Sequence, residues 1–519
     1  MLRFSRFGLA VFEILIFSAL ILAARCANYQ DVFVDGNIYF TDADCYARMT
    51  RARMCAEHSG LIIRQHDFEN FPEGTTPHTT APLDYLIVAL SILLKPFTAQ
   101  PIDFAGAMVS PFLGLVGGWF LWWWSRRMTL HYRWVMLILY GISPILVHGT
   151  ELGRPDHQSL LIVLVTIGVC AEWSLRTDQS RNWSVVSGIA WSMALWVSFY
   201  EPLVLFVLVL LFGLTKDRHL LFGSHRRAGW IVFGAVVSIS LLVERRVPTF
   251  AILQSSQLFQ NWSRTIGELG HVAPLDRVWF AWAGYMIIVA PVLIWQSLRK
   301  RIAPPSFIAL LLVATFLLTI WQARWSYFFV AIFVIVLPGL LAPIKSPAAV
   351  WSAFVLSILP LLQFWDARLW PNEVALSGRI ERRDESKQLR ELAIAIRSEQ
   401  THPFLAPWWL SPSIAYWSDQ PGVAGSSHEA LPGTADSARF FLATDFLGAR
   451  EILRNRGAEW VLGYEWERVA RNSADLLGIQ VPGQPLCRVL DRSPSQGPRF
   501  LVLSGQNGTA KLFRFADKL

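Results

Sequence analysis

Long apolar runs recur through the first 365 positions of this 519-residue chain, and that repetition limits the fold more than any other feature. About 20 consecutive apolar residues cross a bilayer as a helix. A soluble domain has no use for so many such runs. With 53% hydrophobic and only 16% charged residues, the chain reads as a polytopic membrane protein. Its formal charge of +8 is not a nucleic-acid signal: much of it lies in short basic loops, which is how membrane proteins set their orientation. The five cysteines, at 26, 45, 55, 170 and 487, have no metal-type spacing. Cys45 and Cys55 suit either a bridge outside the cell or two free thiols.

Apolar length, tested against the placement of basic loops, defines the expected spans. They fall near 7–25, 104–124, 134–149, 159–175, 183–200, 202–215, 228–243, 276–297, 305–321, 324–342 and 348–365, which makes 11. The first has Arg3 and Arg6 inside and no small-residue cleavage site at Arg25-Cys26, so it reads as a retained span. The apolar stretch 85–97 is short, bounded by Asp84 and interrupted by Lys95, which suits a helix lying in the interface. Were it to cross, the basic loop 125–133 and every short basic loop after it would face outside. Laid flat, it leaves 26–103, 150–158, Glu201, 244–275 and Gln322-Ala323 outside, with Arg245 and Arg246 as exceptions in a longer loop. An odd number of spans then puts the C-terminus outside.

Composition changes near Asp366. Arg379 to Lys387 is charged, Leu389–Ile396 has helical periodicity, and 460–463 and 500–503 read as strands. The expected architecture is a helical transmembrane domain over 1–365 and an extracytoplasmic α/β domain over 366–519.

Three of the outside loops carry acids. In the first, Asp42 and Asp44 open a helix-compatible stretch. An ordinary helix start capped by Asp42 competes there with a metal-ligand role for Asp44. The second, 149–158, holds Glu151, Arg154, Asp156 and His157 where two spans meet. Ionisable residues at such a boundary are candidates for function. Pro155-Asp156 also suits helix capping, while Asp156 and Gln158 could offer two oxygens to a hard cation. The third contains Thr265-Ile266-Gly267-Glu268.

In this order the pieces resemble the catalytic subunit of oligosaccharyltransferase, a GT-C glycosyltransferase family that transfers a lipid-linked glycan to asparagine. The carriers are Asp44, Tyr46, Arg53, Glu57, His58 and Gly60; Gly153-Arg154-Pro155-Asp156-His157-Gln158; Thr265–Glu268; Arg324 at the outer end of a late span; and Trp408-Trp409-Leu410, Ser418-Asp419 and Gly425-Ser426-Ser427-His428. Two positions depart. The family's Trp-Trp-Asp is Trp408-Trp409-Leu410, with Ser411 next, so the acid that helps read an Asn-x-Ser/Thr hydroxyl is missing. The family's last acid or His in the second loop is Gln158.

The resemblance implies Mg2+ or Mn2+ held by Asp44, Asp156 and His428, with Gln158 or His157 completing the set. It implies Arg324 as a clamp on the lipid phosphate, and Asp44 and Glu268 as acceptor-orienting groups. Arg154, His157, Trp408, Trp409 and Ser411 are further substrate contacts. The donor is a polyprenyl-linked sugar, the acceptor a protein or other periplasmic molecule, and the place the cytoplasmic membrane; no nucleic acid takes part. Other readings are a GT-C enzyme moving one sugar onto a lipid or polysaccharide, a lipid-linked sugar transporter, and a non-catalytic subunit.

Overall fold

The computed structural model describes residues 6–78, 80–246, 256–300 and 306–516. Arg3, residues 247–255 of the late outside loop and Arg301 lie outside these. Contacts divide the chain into two units. The first comprises Met1–Val32, Phe104–Val247 and Glu268–Asn372; the second comprises Phe33–Asp103, Pro248–Gly267 and Glu373–Leu519. The expected division at 365/366 concerns membrane and water, whereas these units concern contact, and it stays a proposal.

Unit 1 is helical. Among the described residues, six helices are long and apolar enough to cross a membrane: Phe7–Arg25, Pro101–Arg127, His157–Asp178, Ser224–Glu244, Ala323–Leu341 and Pro347–Leu369. Each coincides with an expected span. The other expected spans are shorter or broken, and the breaks have local causes. The 134–149 stretch forms Arg133–Ile142 and Pro144–His148, because Pro144 keeps Ser143 extended at ψ 119°. The 276–297 stretch splits into Val278–Ala283 and Met286–Lys300 around Gly284, whose φ of +75° excludes most side chains. Arg181–Val197 and Tyr200–Lys216 have 17 residues each, and Ser306–Trp321 has 16.

The helix Ser326–Leu341 sits at the centre of unit 1, with every residue buried. Its all-round hydrophobicity has that physical meaning. By contrast, Phe7–Arg25 and Ser224–Glu244 bury little of themselves in the protein, as helices facing lipid do. Arg181–Val197 and Arg227–Glu244 meet through glycines: a Cβ on Gly188 would stand 2.3 Å from the Gly229 carbonyl oxygen. Close approach of this kind is how membrane helices gain contact without a hydrophobic driving force.

Unit 2 combines a helical layer with a small mixed sheet. Ala43–Glu57 opens with Asp42, whose side chain accepts the Cys45 N–H at 2.9 Å. Against it packs Ala81–Leu94, joined by the buried pair Arg48–Asp84 at 2.7 Å. This second helix is the one expected to lie flat; it groups with unit 2 and not with the bundle. The expected strands both form. Trp460–Gly463 pairs in parallel with Phe404–Leu405 and antiparallel with Ala510–Phe515, which pairs in turn with Leu501–Asn507. Segments distant in sequence knit the unit together: Arg53 meets Asp419 at 2.6 Å, and the Gly433 N–H donates to Asn70 at 2.8 Å.

Candidate functional site

In unit 1 the chemistry gathers on the loop 149–156. Its backbone is pinned from several sides. The Leu152 N–H donates to the Arg25 carbonyl at 2.9 Å, the Gly153 N–H to Ala107 at 3.0 Å, and the Asn28 amide to Leu152 at 2.8 Å. The Ser110 hydroxyl donates to the Arg154 carbonyl. Arg25 is fully buried, and its guanidinium donates to the Thr150 hydroxyl at 2.9 Å and to the Gly141 and Tyr140 carbonyls. A buried loop needs this satisfaction of its polar groups, and it also makes the loop rigid.

Asp156 stands at the N-cap of His157–Asp178, but its side chain makes no capping hydrogen bond. The capping alternative therefore fails. The carboxylate faces His157 Nδ1 at 2.6 Å and the Arg154 guanidinium at 3.8 Å. Arg154 also donates to Glu268 at 2.9 Å and reaches His148 Nε2 at 3.2 Å. Tyr327 closes the ring, with its hydroxyl 2.9 Å from His148 Nδ1 and 3.3 Å from Glu268. Arg324 pairs with the fully buried Glu201 at 2.7 Å, and the charges of Glu268 and Asp156 act on it as well. Arg154, Asp156, His157, Glu268 and Arg324 thus form one charged network. Gln158, next in sequence to His157, is fully buried, and among the described residues neither end of its amide has a hydrogen-bond partner.

The sequence places Glu201 outside, between two apolar runs, without giving it a role, and His148 reads there as the end of a span.

In unit 2, Asp44 lies exposed in the first turn of Ala43–Glu57, where the helix dipole favours an anion. Glu57 and His58 are exposed at the other end of that helix. His428 opens a turn over His428–Ala430 and meets two residues that the sequence did not single out. His78 Nδ1 lies 2.9 Å from Glu429 Oε1, and His428 Nδ1 lies 3.3 Å from Glu429 Oε2. Burial alone would raise the Glu429 carboxyl; His78 and His428 outweigh it and hold it well below the usual range. Glu429 in turn raises His78.

Behind this turn, burial pushes Glu69 up to about 7 and His66 down to about 3. Trp408 and Trp409 stand edge to face at 5.8 Å, with Arg468 over Trp409 at 5.6 Å. Ser411 is buried, and its hydroxyl donates to the Ala424 carbonyl at 2.7 Å. Asp419 is engaged by Arg53 and Arg397. Of the expected metal residues, Asp156 and Gln158 belong to unit 1, and Asp44 and His428 to unit 2.

No protein-family model matches the chain, and no curated protein sequence does. Solved structures do. The Archaeoglobus fulgidus oligosaccharyltransferase, in complex with Zn and sulfate, aligns with TM-score 0.67 at 14% identity over 86% of this chain and 67% of its own. The same enzyme tethered to an acceptor peptide containing the NVT sequon aligns at 0.65 and 13%, covering 91% and 71%. ArnT from Cupriavidus metallidurans, bound to undecaprenyl phosphate, gives 0.59 and 14%, covering 97% of both chains. This protein has the GT-C membrane glycosyltransferase fold that archaeal oligosaccharyltransferase and ArnT share.

Proposed function

We propose that this protein is a membrane glycosyltransferase that moves a sugar or oligosaccharide from a polyprenyl phosphate or pyrophosphate to an extracytoplasmic acceptor, a protein first of all. The observation that carries the reading is the unit 1 network. Two guanidiniums, Arg154 and Arg324, are each held by carboxylates, and the helix start at Asp156 also carries a buried amide, Gln158, that has no partner among the described residues. A buried amide left so is costly, and its two free ends suit a ligand. Two of the fold's relatives support the donor class: ArnT was solved with undecaprenyl phosphate, and the archaeal enzyme with dolichol-phosphate.

The residues fit a divalent ion as well as a phosphate. Asp156 brings charge, and the Gln158 carbonyl brings a second oxygen from the same helix start; Asp44 is the proposed partner from unit 2, whereas His428 stands with Glu429. Mg2+ or Mn2+ bound there supplies electrostatic stabilisation of the departing phosphate. The chain's own groups do the rest. Arg324, oriented by Glu201, presents its fork to the phosphate oxygens. Glu268 and Asp44 orient the acceptor for attack at the anomeric carbon from the face opposite the leaving phosphate. Arg154 fixes Glu268 in place.

A second reading is favoured by one specific feature. Leu410 in place of an acid cannot accept a sequon hydroxyl, and Ser411 beside it is buried with its proton on the Ala424 carbonyl. Transfer of one sugar to a lipid or polysaccharide fits that feature better than transfer to asparagine. The test is glycan transfer from a lipid-linked donor by the full chain in membranes, with products identified by mass spectrometry. Asp156→Ala and Arg324→Ala are each expected to lower turnover by about a hundredfold or more. Activity indifferent to both changes and to a chelator would reject the enzymatic reading; the mass of the product decides between protein and lipid acceptors.

A further inference from the structure

Three side chains of unit 2 converge on one point from separate parts of the sequence: His78, His428 and Glu429. One ligand atom from each lies within 4.8 Å of the others. Both imidazoles address the same carboxylate, His78 at 2.9 Å and His428 at 3.3 Å, and each does so through Nδ1. The two rings stand 5.1 Å apart at a 39° angle, so neither covers the other. Two of the spacings, 2.9 and 3.3 Å, are close to what a tetrahedral ion imposes. Metal–nitrogen and metal–oxygen bonds of about 2.0–2.1 Å place neighbouring ligand atoms roughly 3.3–3.5 Å apart. Closing the triangle therefore takes only small side-chain rotations.

The surroundings are built. His428 and Glu429 are mostly buried, while His78 is 42% exposed and gives the open side. The helix Gln257–Thr265 lays Phe259 and Trp262 against the His428 ring at 6.2 and 6.1 Å, which limits where the imidazole points. Asp44 lies near enough for its charge to act on His78.

We propose that His78, His428 and Glu429 form a cation site of their own in unit 2, selective for Zn2+ or an ion of the same borderline class. Two imidazoles and one carboxylate with an open fourth position make a donor set for zinc. Mg2+ asks for six near-octahedral oxygens and is a poor match for two nitrogens. The site stands in unit 2 whether or not unit 1 takes a lipid-linked donor. It differs from the oxygen-rich set of Asp44, Asp156 and Gln158 in chemistry as well as in residues.

The experiment uses the full chain purified in detergent, stripped with chelator and titrated with Zn2+ or Co2+ alone. Wild type is expected to take up one equivalent of Co2+ with the visible spectrum of a four-coordinate ion, to exchange it for Zn2+, and to ignore excess Mg2+. X-ray absorption at the zinc edge is expected to show two imidazoles in the first shell, a reading that needs no variant to fold. His78→Ala and Glu429→Gln are each expected to weaken zinc by at least roughly tenfold, whereas Asp156→Ala leaves uptake unchanged. No stoichiometric uptake, an oxygen-only shell, or full uptake in both unit 2 variants would overturn the proposal. Loss of uptake in Asp156→Ala would overturn it too, by moving the ion to the other set. Loss of glycan transfer with zinc uptake intact bears on the transferase reading alone.

Discussion

A carboxyl without a water shell behaves differently from the same group on a surface, and Glu69 is the clearest case in this chain. It is 1% exposed, and its pKa is pushed up to about 7, first by burial and then by the charges of Asp44 and Glu429. Arg51 and the Ser426 N–H, which donates to Glu69 at 3.1 Å, pull the other way without prevailing. His66 stands 3.9 Å off and is neutral in the physiological range, its own pKa lowered to about 3. The folded chain therefore keeps the Glu69 proton where the unfolded chain has lost it. Stability contributed here is full below the ordinary value of 4.5 and declines as pH rises towards about 7. Glu69→Gln keeps a carbonyl for the Ser426 N–H and removes the ionisation. Relative to wild type, the variant is expected to gain on the order of 1–3 kcal/mol between about pH 5 and about pH 8. Thermal unfolding of both proteins across that range is the measurement, and parallel profiles would refute the assignment. Nothing in the sequence around Glu69 announced this. A buried glutamate looks like any other until the residues that cover it, here from the far end of the chain, are known.

Helices reveal what a linear pattern can and cannot convey. Apolar length located the six long apolar helices among the described residues, as a run of that kind has to be helical in lipid. It did not locate the breaks at Ser143 and Gly284, which depend on one proline and one positive φ. Nor did it reveal which helix was central: Ser326–Leu341 and Phe7–Arg25 are both apolar, yet one is wholly buried and the other faces outward. Packing between helices turns on small residues, and two glycines in neighbouring helices make the point testable. Gly188→Ala would put a Cβ 2.3 Å from the Gly229 carbonyl, so the helices Arg181–Val197 and Arg227–Glu244 have to separate. A cost of about 1–3 kcal/mol is expected. Gly234→Ala, in the same pair, meets nothing within 4 Å and is expected to be neutral or stabilising by up to about 1 kcal/mol. Thermal denaturation in one detergent compares them; equal shifts would mean that the close approach is not what holds the pair.

For the whole molecule, the motif residues read from the sequence were scattered over hundreds of positions, and they separate into two groups. Arg154, Asp156 and His157 came together because one rigid loop and one helix start present them, and Glu268 reaches Arg154 from the separate turn Gly267–Leu269. His428 met His78 and Glu429, which had carried no motif of their own. Asp44 and Asp156 belong to different units, and the proposed mechanism asks them to serve one ion. That demand has a thermodynamic signature. Two ligands of the same ion do not act independently: once either is lost the ion leaves, and losing the second costs little more. The rate losses of Asp44→Ala and Asp156→Ala are therefore expected to be strongly non-additive, the double variant falling within about tenfold of the worse one. If each carboxylate instead works alone, the two losses multiply. Turnover of the four proteins with one lipid-linked donor, at saturating Mn2+, closes the cycle. Chelation should reduce wild type to the level of the double variant and leave that variant unchanged. Multiplying losses, or a double variant that still responds to chelator, would show that no ion joins the two acids.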